Sequence, residues 1–176
     1  MFLSSLYLGS YNSKFENKEE YSKHIEKDIK WQKDIYDNSK YTYGTLLFIQ
    51  ANLYHVGSGV DEDLGKTISL LEQSAHLGSY QSAILLMKVY ALDHERYGLD
   101  KPNLDKAIEY ANLFGKNACT SHMLVYSNRD YWGCQDGMSR QALPFVCLFE
   151  EYKKNPKLMI DKTVPDHCKA LGKKTE

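Results

Sequence analysis

The chain has 176 residues, of which 43% are hydrophobic, so it is long enough to bury a core and suits one domain. Its charges nearly cancel, to a formal net charge of -1. This balance argues against a general nucleic-acid binder, which needs an excess of Lys and Arg. No apolar run reaches the roughly 18 residues that cross a bilayer, so we expect no membrane span.

Taken in chain order, the predicted elements are helices joined by short loops. Apolar residues spaced by three or four positions predict helices over residues 18–36, 43–54, 61–76, 82–90, 103–115, 120–126 and 140–153, with a short one after Pro165. Asp61 or Asp63 is expected to cap the third helix. No stretch alternates convincingly as a strand, so the predicted fold class is all-α.

Two of these helices have a clear apolar stripe and a glycine where we expect the helix to end. The helix before Gly78 has its stripe at Leu64, Ile68, Leu71 and Ala75. The helix before Gly115, capped by Asn103 or Asp105, has its stripe at Leu104, Ile108, Ala111 and Phe114.

Tyrosines recur at a fixed interval, since Tyr54, Tyr90 and Tyr126 are each 36 residues apart and each ends an apolar helical stretch. A single helix pair cannot bury its apolar stripe alone, whereas the next pair in a stack covers it. The period therefore predicts an α-solenoid over residues 1–127. Residues 128–176 depart from the pattern and are expected to form a helical C-terminal cap packed on the same domain.

All four cysteines, Cys119, Cys134, Cys147 and Cys168, lie in the last third of the chain. An even number gathered in one region favours two disulfides and an oxidising compartment. Four buried thiols are the alternative. The preferred pairs are Cys119–Cys134 and Cys147–Cys168, because they close short local loops. A zinc site using His167 or Cys168 is disfavoured, since the usual metal-site spacing is missing.

One segment, residues 46–90, carries a family pattern. In order it contains Tyr54, Gly57-Ser58-Gly59-Val60, Asp63, Lys66, Ser74-Ala75, Gly78 and Tyr90. This series resembles the Sel1-like repeat, a relative of the tetratricopeptide repeat. Thr67 stands where the family usually has Ala, and the loop after Tyr90 is longer and lacks Gly-x-Gly. Asp105-Lys106-Ala107-Ile108 keeps part of the pattern.

The resemblance implies a right-handed solenoid of helix pairs that binds another protein. Some bacterial members are similar to periplasmic immunity proteins, which neutralise toxins delivered by type VI secretion, including phospholipase effectors. We therefore expect a periplasmic inhibitor that occludes a cognate toxin. The alternatives are a cytosolic signalling scaffold and, less favoured, a cysteine-rich hydrolytic enzyme. Residues 1–8 lack the basic start of a signal peptide, which fits either a cytosolic protein or a mature chain whose leader has been removed.

Sequence motifs of hydrolases, phosphate-binding loops, dinucleotide sites and zinc proteases are missing, so we expect a non-enzyme with no cofactor and no metal. A hydrolase would need a nucleophile with a positioned base, and a Ser or Asp hydrogen-bonded to His94 or His122 would favour that alternative. The run from Asp93 to Tyr97 collects acid, base and cation, but a solvated loop is the favoured interpretation.

Partner contacts are expected at helix starts and loops, at Tyr43, Tyr80, Lys88, Arg96, Tyr97 and Trp132. For Trp132, core capping is the alternative to an interface anchor.

Overall fold

The computed structural model describes residues 19–20, 23, 26–27, 40–120, 134–135 and 138–171. The chain divides into two compact units, Met1–Leu77 and Gly78–Glu176. The predicted boundary near residue 127 and the predicted helix over 120–126 fall almost entirely outside the described residues, so both stay predictions. The described residues between 19 and 27 are helical, as the predicted first helix requires.

The first unit contains a hairpin of two helices, α1 (Lys40–Val56) and α2 (Leu64–His76), which pack against each other. Between them Gly57 and Gly59 have φ values of 61° and 77°, the left-handed conformation that the predicted turn needs. Asp63 is the cap of α2, because its Oδ1 accepts a hydrogen bond from the Lys66 backbone N–H at 2.8 Å.

The two helices of the first unit approach closely at Gly44. A Cβ atom placed there would lie 3.1 Å from the Ser74 carbonyl oxygen and 3.2 Å from the Leu77 Cβ. The Ser74 hydroxyl donates a hydrogen bond of 2.5 Å to the Gly44 carbonyl, and both Ser74 and Ala75 are fully buried. The small residues therefore allow the two helices to approach closely at this point.

The second unit contains a comparable hairpin of α3 (Tyr80–Ala91) and α4 (Leu104–Thr120). Asn103 caps α4 by accepting a 3.1 Å hydrogen bond from the Lys106 N–H. The predicted end at Gly115 is wrong, because α4 continues to Thr120. The residues after the glycine explain this: Asn117 and Ala118 are buried, and that packing outweighs the roughly 1 kcal/mol by which glycine weakens a helix.

The buried faces of α2 and α4 are rotated in the same direction from the predicted stripes. Leu71, Ala75, Ala111 and Phe114 are buried as expected, whereas the Leu and Ile at the start of each stripe are only half-buried. Their places in the core are taken by Thr67, Leu70 and Ser74 in α2 and by Ala107 and Tyr110 in α4. Several of these are small or polar, so hydrophobicity alone does not find them.

The C-terminal part of the second unit begins with a short antiparallel pair, β1 (Cys134–Gln135) and β2 (Met138–Ser139). Strands of two residues leave no alternation in the sequence, which is why they were not predicted. A 3₁₀ turn, Arg140–Ala142, leads into α5 (Leu143–Lys154), which packs against α4. Two short helices follow, α6 (Pro156–Ile160), which was not predicted, and α7 (Asp166–Ala170), which was.

Apart from that strand pair, the regular structure of the described residues is helical, which confirms an all-α fold. None of the helices in the described ranges is long and apolar enough to cross a membrane.

Candidate functional site

A tyrosine and a lysine form the same pair at the loop end of each hairpin. In the first unit the Lys66 ammonium hydrogen-bonds to the Tyr54 hydroxyl and lies 3.9 Å from the centre of its ring. In the second unit the Lys106 ammonium donates to the Tyr90 hydroxyl at 3.0 Å and lies 4.7 Å from that ring centre. Both are cation–π contacts, and we call them the Tyr–Lys pairs.

The helix caps hold each Tyr–Lys pair together. The Asp63 N–H donates to the Tyr54 carbonyl at 3.0 Å, and the Asn103 N–H donates to the Tyr90 carbonyl at 2.7 Å. Each cap side chain also binds the N–H of the lysine three residues later. Tyrosine and lysine are 12 residues apart in one unit and 16 in the other, so a search at one fixed spacing misses the correspondence. The constant signal is the three-residue step from cap to lysine.

Two large apolar side chains are exposed at matching positions beside these pairs. Val56, two residues after Tyr54, is 66% exposed, and Leu92, two residues after Tyr90, is 50% exposed. Isolated exposed apolar residues are ordinary, but the same exposure recurs at the same place in both hairpins. Neither residue is among the predicted contacts, although the position of each, two residues after a periodic tyrosine, was a signal present in the sequence.

The long loop of the second unit, residues 92–103, is anchored by Tyr97. Its side chain is only 7% exposed, and its N–H donates to the His94 carbonyl at 3.1 Å. Burial raises the pKa of Tyr97, while Arg96 lowers that pKa and Asp93 raises it. Tyr97, expected as a partner contact because it lies in a loop, is instead buried, because the ring packs into the unit and holds the loop.

An open cleft of about 560 Å³ lies beside this loop, lined by Tyr90 and residues 99–106. Its lining contains as many acidic as basic side chains, two of each. Two of these charges are already engaged, since Lys106 binds Tyr90 and Asp105 binds Lys153. The cleft therefore offers no concentrated charge for an ionic ligand.

The other predicted contact residues are distributed as follows. Lys88 and Arg96 are exposed, and Tyr43 and Tyr80 are half-buried. Trp132 lies outside the described residues. The Leu92 N–H donates to the Lys88 carbonyl at 2.7 Å, so Lys88 lies one turn before the exposed leucine. The structure thus brings one predicted contact together with an apolar residue that was not predicted.

Both disulfides of the preferred pairing are present. Cys119–Cys134 joins α4 to β1, and Cys147–Cys168 joins α5 to α7. Disulfides form and persist in oxidising compartments and are rare in the cytosol, so this pairing favours an oxidising location.

The titratable groups give no support to a catalytic arrangement within the described ranges. Lowered carboxylate pKa values belong to exposed ion pairs, such as Glu151, whose pKa falls chiefly because Lys154 hydrogen-bonds to it. Burial raises the pKa of Tyr152, as it does for Tyr97. The His94 Nδ1 is buried and has no hydrogen-bond partner in the described part of the chain, so no acid orients the imidazole through that nitrogen. His122 lies outside that part.

Comparisons of the chain with protein-family models, curated proteins and solved structures found no match. The resemblance to Sel1-like repeats therefore rests on this chain's own residues.

Proposed function

We propose that the chain is a protein-binding module of an oxidising compartment, and specifically a periplasmic immunity protein that occludes a cognate toxin such as a secreted phospholipase. The observation that carries this proposal is the exposed apolar residue repeated in both hairpins, Val56 and Leu92. Each lies beside a loop that a Tyr–Lys pair and a capped helix hold in place.

Burial energetics support a binding role for these residues. Covering an exposed Val or Leu side chain contributes up to about 1.5–3 kcal/mol, and the most effective interface residues lie in fixed surroundings. Lys88 and Arg96, exposed near Leu92 in the chain, would supply the polar edge of the contact. Tyr43, Tyr80 and Trp132 remain proposed contacts. Tyr97 is buried beneath the loop of residues 92–103 and supports its conformation.

The mechanism in this proposal is occlusion. A right-handed solenoid of Sel1-like repeats, closed by a helical C-terminal cap, would cover the toxin's active site or its membrane-facing side. This arrangement derives from the repeat and the resemblance. Such a role needs no catalytic residue, cofactor or metal.

The disulfides favour this proposal over a cytosolic scaffold, because cytosolic reductants keep thiols reduced. A hydrolytic enzyme receives no support from His94, whose buried nitrogen lacks an orienting acid among the described residues.

The test begins with the genes that adjoin this one in the source genome. If one of them encodes a phospholipase, its product is purified and titrated with the oxidised chain. We expect a complex of equal stoichiometry by size-exclusion chromatography and loss of lipase activity at one equivalent. Val56→Glu and Leu92→Glu should each weaken binding at least about tenfold, which corresponds to about 1.4 kcal/mol.

Ile160→Glu is the matched control. Ile160 is also a large apolar residue, 79% exposed, but it lies on α6, away in sequence from both loops. Equal weakening by all three substitutions, or none by the two loop substitutions, would contradict the proposed surface. If the genome has no such neighbour, the parent chain and the three variants are each used to capture proteins from a periplasmic extract, and the captured proteins are compared. A partner retained equally by every bait would also count against the proposal.

A further inference from the structure

Three metal-ligating side chains meet at the C-terminal disulfide. Cys147 lies on α5, while His167 and Cys168 lie on α7. Their two sulfur atoms and one imidazole nitrogen all lie within 4.8 Å of one another. In the oxidised chain the sulfurs are bonded to each other, so only the imidazole is available as a ligand.

We propose that reduction of Cys147–Cys168 by a thiol converts this cluster into a Zn²⁺ site with two thiolates and one imidazole. In the first step two thiol molecules reduce the disulfide to two cysteine thiols and leave as their own disulfide. In the second step Zn²⁺ binds both sulfurs and displaces two protons to solvent, because cysteine ligates zinc as the thiolate. This site is independent of the proposed binding function.

The distances suit a tetrahedral zinc ion. Zinc–sulfur bonds of about 2.3 Å and zinc–nitrogen bonds of about 2.0–2.1 Å place the ligand atoms about 3.5–3.8 Å apart. The Cα atoms of Cys147 and Cys168 are 5.5 Å apart, so the freed sulfurs can reach this separation by side-chain rotation. His167 is exposed, and its ring can therefore turn toward the ion without disturbing the core.

A carboxylate also lies near the cluster in the chain. Glu151 lies one turn after Cys147 on α5. Its carboxylate accepts a 2.8 Å hydrogen bond from Lys154, so we assign the fourth position to water. Three protein ligands and a water are an established arrangement for zinc.

The other disulfide provides an internal control. Among the residues that the structure describes, Cys119–Cys134 is not part of any cluster of three ligating groups. Reduction of that pair leaves two thiols without the imidazole. In the reduced chain, zinc should therefore bind at Cys147 and Cys168 and not at Cys119 and Cys134.

The experiment uses the full chain, reduced with dithiothreitol, desalted without oxygen and mixed with one equivalent of zinc sulfate. A pulse of iodoacetamide followed by peptide mass spectrometry then measures the alkylation rate of each cysteine. Zinc should slow alkylation of Cys147 and Cys168 at least tenfold and leave Cys119 and Cys134 unchanged. The oxidised chain should not retain zinc through desalting.

A histidine variant tests the third ligand. His167→Ala should raise the zinc concentration that gives half-protection at least about tenfold, because loss even of an outer-shell partner of a metal ligand costs about 10–100-fold in affinity. His76→Ala, at an exposed histidine of the first unit, should have no effect. Protection of all four cysteines alike, protection of none, or undiminished protection in His167→Ala would overturn the proposal. A reduced chain that loses its helical circular dichroism and gains no selective protection would overturn it as well.

Discussion

Replacing Gly44 by alanine tests the close approach of α1 and α2. The new methyl group would lie 3.1 Å from the Ser74 carbonyl oxygen and 3.2 Å from the Leu77 Cβ. Both atoms belong to the backbone or to its first side-chain carbon, so neither can turn away and the helices must separate. Overpacking of this kind costs about 1–3 kcal/mol, while alanine gains about 0.5–1 kcal/mol over glycine in a helix. From the middle of each range we therefore expect a net loss of about 1 kcal/mol.

Gly65→Ala is the matched control, because Gly65 is exposed near the start of α2. A Cβ there would meet only the Asp63 Oδ1, at the ordinary distance of 3.5 Å. This substitution should stabilise the chain by about 0.5 kcal/mol. Urea denaturation followed by circular dichroism measures both free energies of unfolding, and hydrogen exchange of the α1 and α2 amides locates the effect. If Gly44→Ala is as stable as the parent, the helices do not approach as described.

Three further predictions concern the second unit. Asn103→Ala should lower the free energy of unfolding by about 1 kcal/mol through loss of the α4 cap, whereas Asn103→Asp should keep it, as thermal or urea denaturation will show. Replacing both Cys147 and Cys168 by serine should lower the free energy of unfolding by about 3 kcal/mol, as urea denaturation without reductant will show. A double variant as stable as the parent would contradict a structural role for that disulfide. Because Lys154 lowers the pKa of Glu151, their ion pair stabilises the folded state above the ordinary pKa of 4.5 and is lost as the pH falls through the lowered value. The difference in stability between the parent and Glu151→Gln should therefore vanish in acid, and a difference that grows there would contradict this assignment.

The sequence was sufficient to predict the helical hairpins because their signals are local. The Asp63 cap and the glycines at 57 and 59 are determined by a few neighbouring residues, and the structure confirms them. The disulfide pairing was also predictable, since short loop closure favours nearby partners. Local signals failed at Gly115, where burial of the residues that follow it keeps the helix intact.

The candidate site was less predictable because it depends on contacts between distant residues. Tyr97 looked exposed in a charged loop, but tertiary packing buries its ring. The Tyr–Lys pairs were hidden by loops of different length, which change the spacing while preserving the geometry. Val56 and Leu92 resembled ordinary helix-end residues, and only the structure distinguishes their exposure from that of the buried apolar residues nearby.

The anchored loop of the second unit has a consequence for the kinetics of association. Tyr97 fills the core beneath it, and backbone hydrogen bonds join residues 94–99 to one another and Asn103 to Tyr90. A partner that contacts Leu92 or Arg96 would therefore bind a loop whose conformation is already formed before association. Little conformational entropy remains to be lost on docking, so complex formation should follow one exponential phase whose rate is linear in partner concentration, without a slower rearrangement.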